Sequence, residues 1–131
     1  MTTVFVNGTF DILHMGHVAL LEYAKSLGHE LVVAIDSDAR VKLLKGVNRP
    51  VNNEQERGSL LLALKPVDKV FVFDTDDELV ELASNCHIMV KGSDYKDKPI
   101  IGSDVCPDIR FYDRLNEYST TKKIQDIISR G

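Results

Sequence analysis

The sequence predicts an α/β domain built on a five-stranded parallel sheet, and two observations predict it. Short β-branched and aromatic runs alternate along the chain with stretches whose apolar residues recur at helical spacing. One run, Glu-Leu-Val-Val-Ala-Ile at 30–35, is apolar throughout after its first residue, as strands buried on both faces of a parallel sheet are. Strands alternating with helices through right-handed crossovers give a sheet covered on both sides, a Rossmann-like three-layer sandwich.

The elements follow in order. Residues 3–6 form a strand that enters a turn at Asn7-Gly8. Residues 17–27 form a helix with Leu20, Leu21, Ala24 and Leu27 on its apolar stripe and Gly28 as its stop. The strand at 30–35 leads to Asp36-Ser37-Asp38, which offers caps for a short basic helix through Val41 and Leu44. Asn52-Asn53-Glu54 opens another helix, which carries Leu60, Leu61 and Leu64 and ends before Pro66. Residues 67–73 give a third strand, 76–83 a helix and 87–90 a fourth strand. Glycine, lysine and proline dominate 91–102, which reads as a surface loop. A fifth strand at 109–112 and a helix at 119–129, with Ile124, Ile127 and Ile128 on one face, complete the pattern.

The bulk composition limits what the motifs can mean. At 131 residues, 44% hydrophobic and 27% charged, the sequence reads as one globular domain, 1–131, with a sizeable core. Its net charge of -4 offers no general attraction to nucleic acid or anionic membranes, so phosphate binding requires a local cluster of donors. Cys86 and Cys106 lie in unrelated segments without CxxC spacing and read as reduced thiols. With no run approaching the roughly 20 apolar residues of a membrane helix, and no signal core, the expected location is the cytoplasm.

Sheets of this kind bind ligands at the carboxyl ends of their strands, where the strand order reverses. Three polar segments fall at such ends: 7–17, 91–95 and 114–122. In the first, "NGTFDILHMGH", Gly8 lets a ligand approach the backbone and Thr9 adds a hydroxyl. The following helix directs its unpaired N–H groups and positive dipole end to the same space, where a phosphate is stabilised. His14 and His17, at i and i+3, can both grip phosphate oxygens if the turn at Met15-Gly16 brings them to one side. A pair that merely caps the helix explains the same residues. Zinc would need further ligands, and His29, His87, Cys86 and Cys106 show no supporting spacing.

In the last segment, "YSTTKK", Ser119 is a good N-cap and Thr120 and Thr121 add hydroxyls in the first turn, where anions bind best. In "VKGSDY", at 90–95, Gly92 permits close approach and Asp94 can accept hydrogen bonds from a ribose or base. Lys42, Lys45, Arg49, Arg57 and Arg114 are possible sources of positive charge. Asp36-Ser37-Asp38 resembles a metal clamp, yet caps and turns use these residues far more often.

Taken together, "NGTFDILHMGH", "VKGSDY" and "YSTTK" resemble the cytidylyltransferase-like nucleotidyltransferase family, marked by an HxGH motif near the N-terminus and a [ST]-[ST]-T motif opening the last helix. The resemblance implies that His14 and His17 bind the nucleotide phosphates and stabilise charge as the α-phosphate is attacked, with Lys45 and Thr120 beside them as catalytic residues. It implies nucleotide contacts from Gly8, Thr9, Phe10, Asp11, Gly16, Lys42, Lys91 and Gly92. Ser119, Thr120 and Thr121 would hold the β- and γ-phosphates, Arg114 would neutralise them, and Asp94 would hold the nucleoside. A helix N-terminus should also keep the imidazoles neutral donors near pH 7.

The implied reaction moves NMP from an NTP, ATP or CTP, to a small phosphorylated acceptor and releases pyrophosphate. The acceptor is already an anion, so no general base is needed, and Mg²⁺ rides on the triphosphate, held mainly by its oxygens and water. The segments "LKGVNRPVN", "ALKPVDKVFVF" and "VKGSDY" look most like the adenylyltransferase domain of heptose-phosphate enzymes, which implies ATP and a sugar 1-phosphate. The chain length resembles glycerol-3-phosphate cytidylyltransferases instead, but those typically carry tryptophans where this chain has Met15 and Tyr95. Small archaeal FAD synthetases are a third relative, and a non-catalytic nucleotide-binding module is an alternative of another class. The resemblance also implies a homodimer.

Overall fold

A computed structural model of the chain describes residues 1–113 and Ile124. In order these form β1 (Thr3–Gly8), α1 (Met15–Ser26), β2 (Glu30–Asp36), α2 (Asp38–Lys45), α3 (Glu54–Leu62), β3 (Lys69–Phe73), α4 (Asp76–Ala83), β4 (Ile88–Gly92), a single 3₁₀ turn (Ser93–Tyr95) and β5 (Ile109–Tyr112). The strands make one all-parallel sheet in the order β3-β2-β1-β4-β5, the architecture that the alternation of runs predicts. The expected helix at 119–129, and Arg114 before it, lie outside the described residues except for Ile124.

Successive strand residues point to opposite faces, so the continuous apolar runs feed two cores at once. On one face Val4, Val6, Leu31, Val33 and Ile35 pack with Leu20, Leu21 and Ala24 of α1 and Leu61 of α3. On the other, Phe5, Val32, Ala34 and Met89 pack with Leu79 and Ala83 of α4. Phe5 is matched in register with both Val32 and Met89, which makes β1 the centre of the second core as well as of the sheet. Cys86 and Cys106 belong to that second core as buried free thiols, and burial pushes the Cys86 thiol up to about 11. Gly28 closes α1 where a Cβ would come within 2.7 Å of the Thr2 carbonyl oxygen, a distance no side chain tolerates without backbone movement.

Several boundaries differ from the sequence reading, each for a local reason. α1 begins at Met15 rather than 17, because His14 serves as its N-cap. Lys91 and Gly92 are not loop residues: Lys91 is in register with Phe111 and Gly92 with Tyr112, which keeps both in β4. β3 starts at Lys69, since the Asp68 N–H is taken by the Leu31 carbonyl and the Asp68 carboxylate accepts from the Leu31 N–H. The Asp36-Ser37-Asp38 stretch does cap: Ser37 is the N-cap of α2 and its hydroxyl accepts from the Arg40 N–H.

The chain steps outward from β1 through β2 to β3, then returns to place β4 on the opposite side of β1. The carboxyl ends of β1 and β4 therefore flank the point where the strand order reverses.

Candidate active site

A cavity of about 450 Å³ opens at that point. Its floor is the end of β1, Val6 to Gly8, continued by Thr9, Phe10 and Asp11; Asp36 comes from β2, and Val90, Lys91 and Gly92 come from β4. Gly16 and His17 enter from the first turn of α1, Leu44, Lys45 and Arg49 from the end of α2 and the loop beyond it, and Tyr95 with Pro99, Ile100 and Ile101 from the opposite rim.

The turn between β1 and α1 is tightly specified. Phe10 sits at φ 51°, a left-handed conformation uncommon for a residue with a side chain, and its ring is buried. A Cβ at Gly8 would stand 3.0 Å from the Phe10 ring, so any side chain here would oblige that ring to give by a few tenths of an ångström. The Phe10 ring in turn lies 5.1 Å from that of His17.

The two histidines form a reciprocal cap. His14 Nδ1 accepts from the Gly16 N–H at 3.1 Å, while His17 Nδ1 accepts from the His14 N–H at 3.2 Å. Their rings stack with centroids 3.8 Å apart. An Nδ1 that accepts a hydrogen bond cannot carry the proton, so in the neutral rings the N–H stands on Nε2. Capping thus uses only Nδ1 of each ring, so the two explanations the sequence allows are compatible. His17 lines the cavity; His14 is stacked on it and is not itself a lining residue.

Four cationic residues, Arg40, Lys45, Arg49 and Lys91, line the cavity with His17. Lys91 is partly buried and its Nζ donates to Asn7 Oδ1 at 2.7 Å, with the Tyr95 ring centroid 5.1 Å away. Burial lowers its pKa to about 8, against the opposing pull of Asp36 and Asp94. Partial desolvation at the rim, then repulsion by Arg49, lowers the pKa of Lys45 from its ordinary value. Arg49 pairs through Nε with Asp11 at 3.2 Å.

Other expected residues stand differently. Asp11 lines the cavity, but its fully buried carboxylate accepts from the Val51 and Asn52 N–H groups and from Arg49, so it ties the loop after α2 to the histidine turn. Lys42 and Asp94 are exposed and do not line the cavity. Arg57 is not a surface charge: its side chain is fully buried and donates to the carbonyls of Thr9, Asp36 and Asn52 and to the Asp38 carboxylate. Ser119, Thr120, Thr121 and Arg114 lie outside the described residues.

The sequence reading did not single out Asn7 or Asp36 as site residues, nor Arg40. Asn7 and Asp36 lie at the carboxyl ends of β1 and β2, so the strand-end rule alone was a signal for both. Asp36 Oδ2 accepts from the Thr9 hydroxyl at 2.8 Å and Oδ1 from Arg40 Nε at 3.3 Å.

Comparison with known proteins agrees with this fold. The Cytidylyltransferase-like family model matches residues 5–128. The chain is 47% identical over 124 residues to a protein named bifunctional protein HldE from Nitratiruptor sp., covering 93% of this chain and 27% of that protein. It is 48% identical over 126 residues to its namesake from Campylobacter jejuni subsp. doylei, covering 95% and 27%. The chain therefore spans about a quarter of the length of these relatives. A crystal structure described as the lipopolysaccharide core biosynthesis protein from Thermoplasma volcanium superposes with a TM-score of 0.72 at 28% identity, covering 88% of this chain and 98% of that one. A match over nearly the whole chain, on a fold whose switch-point cavity carries the HxGH turn, makes this protein a member of the cytidylyltransferase-like family of nucleotidyltransferases.

Proposed function

We propose that the chain transfers an adenylyl group from ATP to a sugar 1-phosphate of the heptose type and releases pyrophosphate. The observation that carries this reading is the meeting of one oriented imidazole and four cationic side chains, Arg40, Lys45, Arg49 and Lys91, in a single cavity at the amino end of α1. The relatives at 47% and 48% identity support the heptose-type acceptor.

In this reading an oxygen of the acceptor phosphate attacks the α-phosphorus. A new phosphorus–oxygen bond forms, the bridge to the β-phosphate breaks, and the electron pair leaves with pyrophosphate. The acceptor is an anion at neutral pH, so no side chain need remove a proton. Positioning and charge stabilisation supply the acceleration. His17 donates from Nε2 to the α-phosphate, His14 acts through the ring it stacks on and holds in place, and Lys45 and Arg49 meet the negative charge that gathers on the phosphates. Lys91, Gly92 and Asp94 lie on the nucleoside side, and Ser119, Thr120, Thr121 and Arg114 serve the β- and γ-phosphates. Mg²⁺ arrives as part of the nucleotide substrate, coordinated mainly by phosphate oxygens and water. ATP and sugar phosphates are cytoplasmic metabolites, so the same reading locates the enzyme there, and the family resemblance supports a homodimer.

Lys91 supplies a pH test. A lysine whose pKa is lowered to about 8 in the free enzyme loses its charge as pH rises through that value. Because the protonated form attracts the anionic nucleotide, kcat/KM for ATP is expected to fall above about pH 8, by up to about tenfold per pH unit. Lys91→Arg should move that limb beyond the measured range, since guanidinium stays protonated. A limb unchanged in the variant would remove Lys91 from the nucleotide site.

The reading as a whole is tested by pyrophosphate release with Mg²⁺, crossing ATP and CTP against heptose 1-phosphate, glycerol 3-phosphate and FMN. Release with ATP and heptose 1-phosphate is the expected result. Release with CTP and glycerol 3-phosphate would replace both substrates, and nucleotide binding without release from any pair would favour the non-catalytic module.

A further inference from the structure

We propose that Asp36 is the residue that selects a polyhydroxylated acceptor, by accepting hydrogen bonds from hydroxyl groups of the sugar phosphate. The inference rests on the transferase reading above and names the chemistry of its second substrate.

The first observation is where the carboxylate sits. Asp36 ends β2 and lines the same cavity as His17, Lys45 and Lys91. Its field reaches both lysines, since it opposes the fall in pKa at each of them. A carboxylate between the cations of a cavity that receives phosphates repels its own ligands, so its charge requires a reason.

Its internal contacts do not supply one. Asp36 takes one hydrogen bond on each oxygen, from Thr9 Oγ1 and Arg40 Nε. An asparagine could serve both, with its carbonyl oxygen accepting from Arg40 and its amide donating to the Thr9 hydroxyl. Arg40 is not devoted to neutralising this carboxylate either, because it also donates to the Asp74 carbonyl at 3.3 Å and to Asp76 at 2.7 Å. A carboxylate offers about four acceptor directions, which leaves about two for a ligand. The groups that a carboxylate binds well and a phosphate-binding cation does not are hydroxyl donors.

The topology assigns those hydroxyls to the acceptor rather than to the ribose. β2 and β4 lie on opposite sides of β1, so Asp36 and the segment from Lys91 to Tyr95 occupy opposite flanks of the cavity. In-line displacement sets the acceptor oxygen opposite the leaving pyrophosphate, with the nucleoside oxygen off that axis. With the nucleoside on the β4 flank its ribose is kept away from Asp36, which leaves the β2 flank, beside Asp36, to the acceptor.

The test is the kinetics of wild type and Asp36→Asn with ATP and heptose 1-phosphate. The variant should raise the acceptor KM about 10- to 100-fold, the usual cost of losing a hydrogen bond to a charged group, and change the ATP KM less than about threefold. In the wild type, at least one monodeoxy analogue of the acceptor should show the same rise, and the variant should not distinguish that analogue from the parent sugar. This analogue series needs no variant, so it decides the matter even if Asp36→Asn does not fold. Thr9→Val separates a direct role from one exerted through Thr9: the proposal fails if this variant alone abolishes discrimination between the sugar and its deoxy analogue. It also fails if every deoxy analogue is used like the parent sugar, or if Asp36→Asn instead abolishes discrimination between ATP and 2'-deoxy-ATP, which would make the ribose the donor. Absence of pyrophosphate release from any sugar phosphate in the wild type would overturn the transferase reading and this inference with it, whereas release with unaltered selectivity in the variant overturns this inference alone.

Discussion

His17→Ala is expected to lower kcat by about 10²- to 10³-fold while changing the Kd for ATP by less than about threefold. The reason lies in its ring: Nδ1 accepts from the His14 N–H, so the proton of the neutral ring is on Nε2, and the oriented ring lines the cavity. A donor already oriented needs no reorganisation when charge develops on the α-phosphate, so its contribution is largest in the transition state. The same substitution removes half of the reciprocal cap on α1, which should cost about 1 kcal/mol of stability in urea denaturation. These two effects are separable by experiment. A loss of ATP affinity as large as the loss of kcat would mean that His17 binds ground and transition states alike. A loss of stability large enough to account for the missing activity would mean that it only caps the helix.

The second large effect is structural. Arg57→Met should destabilise the protein by about 3–5 kcal/mol, and lower its Tm by more than about 10 °C, although methionine fills much of the same space. Arg57 is fully buried in α3 and donates to the carbonyls of Thr9 and Asp36, to that of Asn52 and to the Asp38 carboxylate, at distances of 2.8 to 3.0 Å. Removing it leaves three carbonyls without their donor and the partly exposed Asp38 carboxylate without its cation. Thr9 and Asp36 both line the cavity, so the damage should reach activity as well. Arg57→Lys keeps the charge but not the planar fork and should rank between the two. A Tm within about 3 °C of wild type for Arg57→Met would show that the network contributes little to folding.

These two residues illustrate what the sequence makes legible. The strands are legible because their β-branched and aromatic runs serve two cores at once, and the crossover rule then leaves few ways to arrange them. The HxGH turn is legible through its company: the two histidines alone could merely cap the helix, and only together with "VKGSDY" and "YSTTK" do they resemble the family. Its role as a cap is harder to read, since histidine does not belong to the Ser, Thr, Asp and Asn set that marks helix starts. Arg57 is hidden because a basic residue in an amphipathic helix is ordinarily solvated. Its one signal is spacing: Arg57, Leu61 and Leu64 recur at i, i+4 and i+7, which places the arginine on the buried stripe.

Asp36 is masked by its neighbours, because Asp-Ser-Asp before a helix is fully explained by capping, and Ser37 does cap. Only the sheet reveals that the first of the three also faces a cavity. Asp11 is the converse case, a residue of the family motif whose carboxylate turns away to hold the backbone of Val51 and Asn52. That contact joins segments about forty residues apart, and no local pattern records it. The rim formed by Pro99, Ile100 and Ile101 likewise depends on how the chain returns between β4 and β5.

The most direct test of nucleotidyl transfer follows the phosphorus atom itself. ATP labelled in the α-phosphate is incubated with the full chain, Mg²⁺ and heptose 1-phosphate, and the products are separated by charge. The account predicts that label moves into a sugar nucleotide in which a new diphosphate bridge joins AMP to the sugar, with one pyrophosphate released per transfer, and that His17→Ala slows this by about 10²- to 10³-fold. Label remaining in ATP with every sugar phosphate, or appearing only as free AMP, would contradict it.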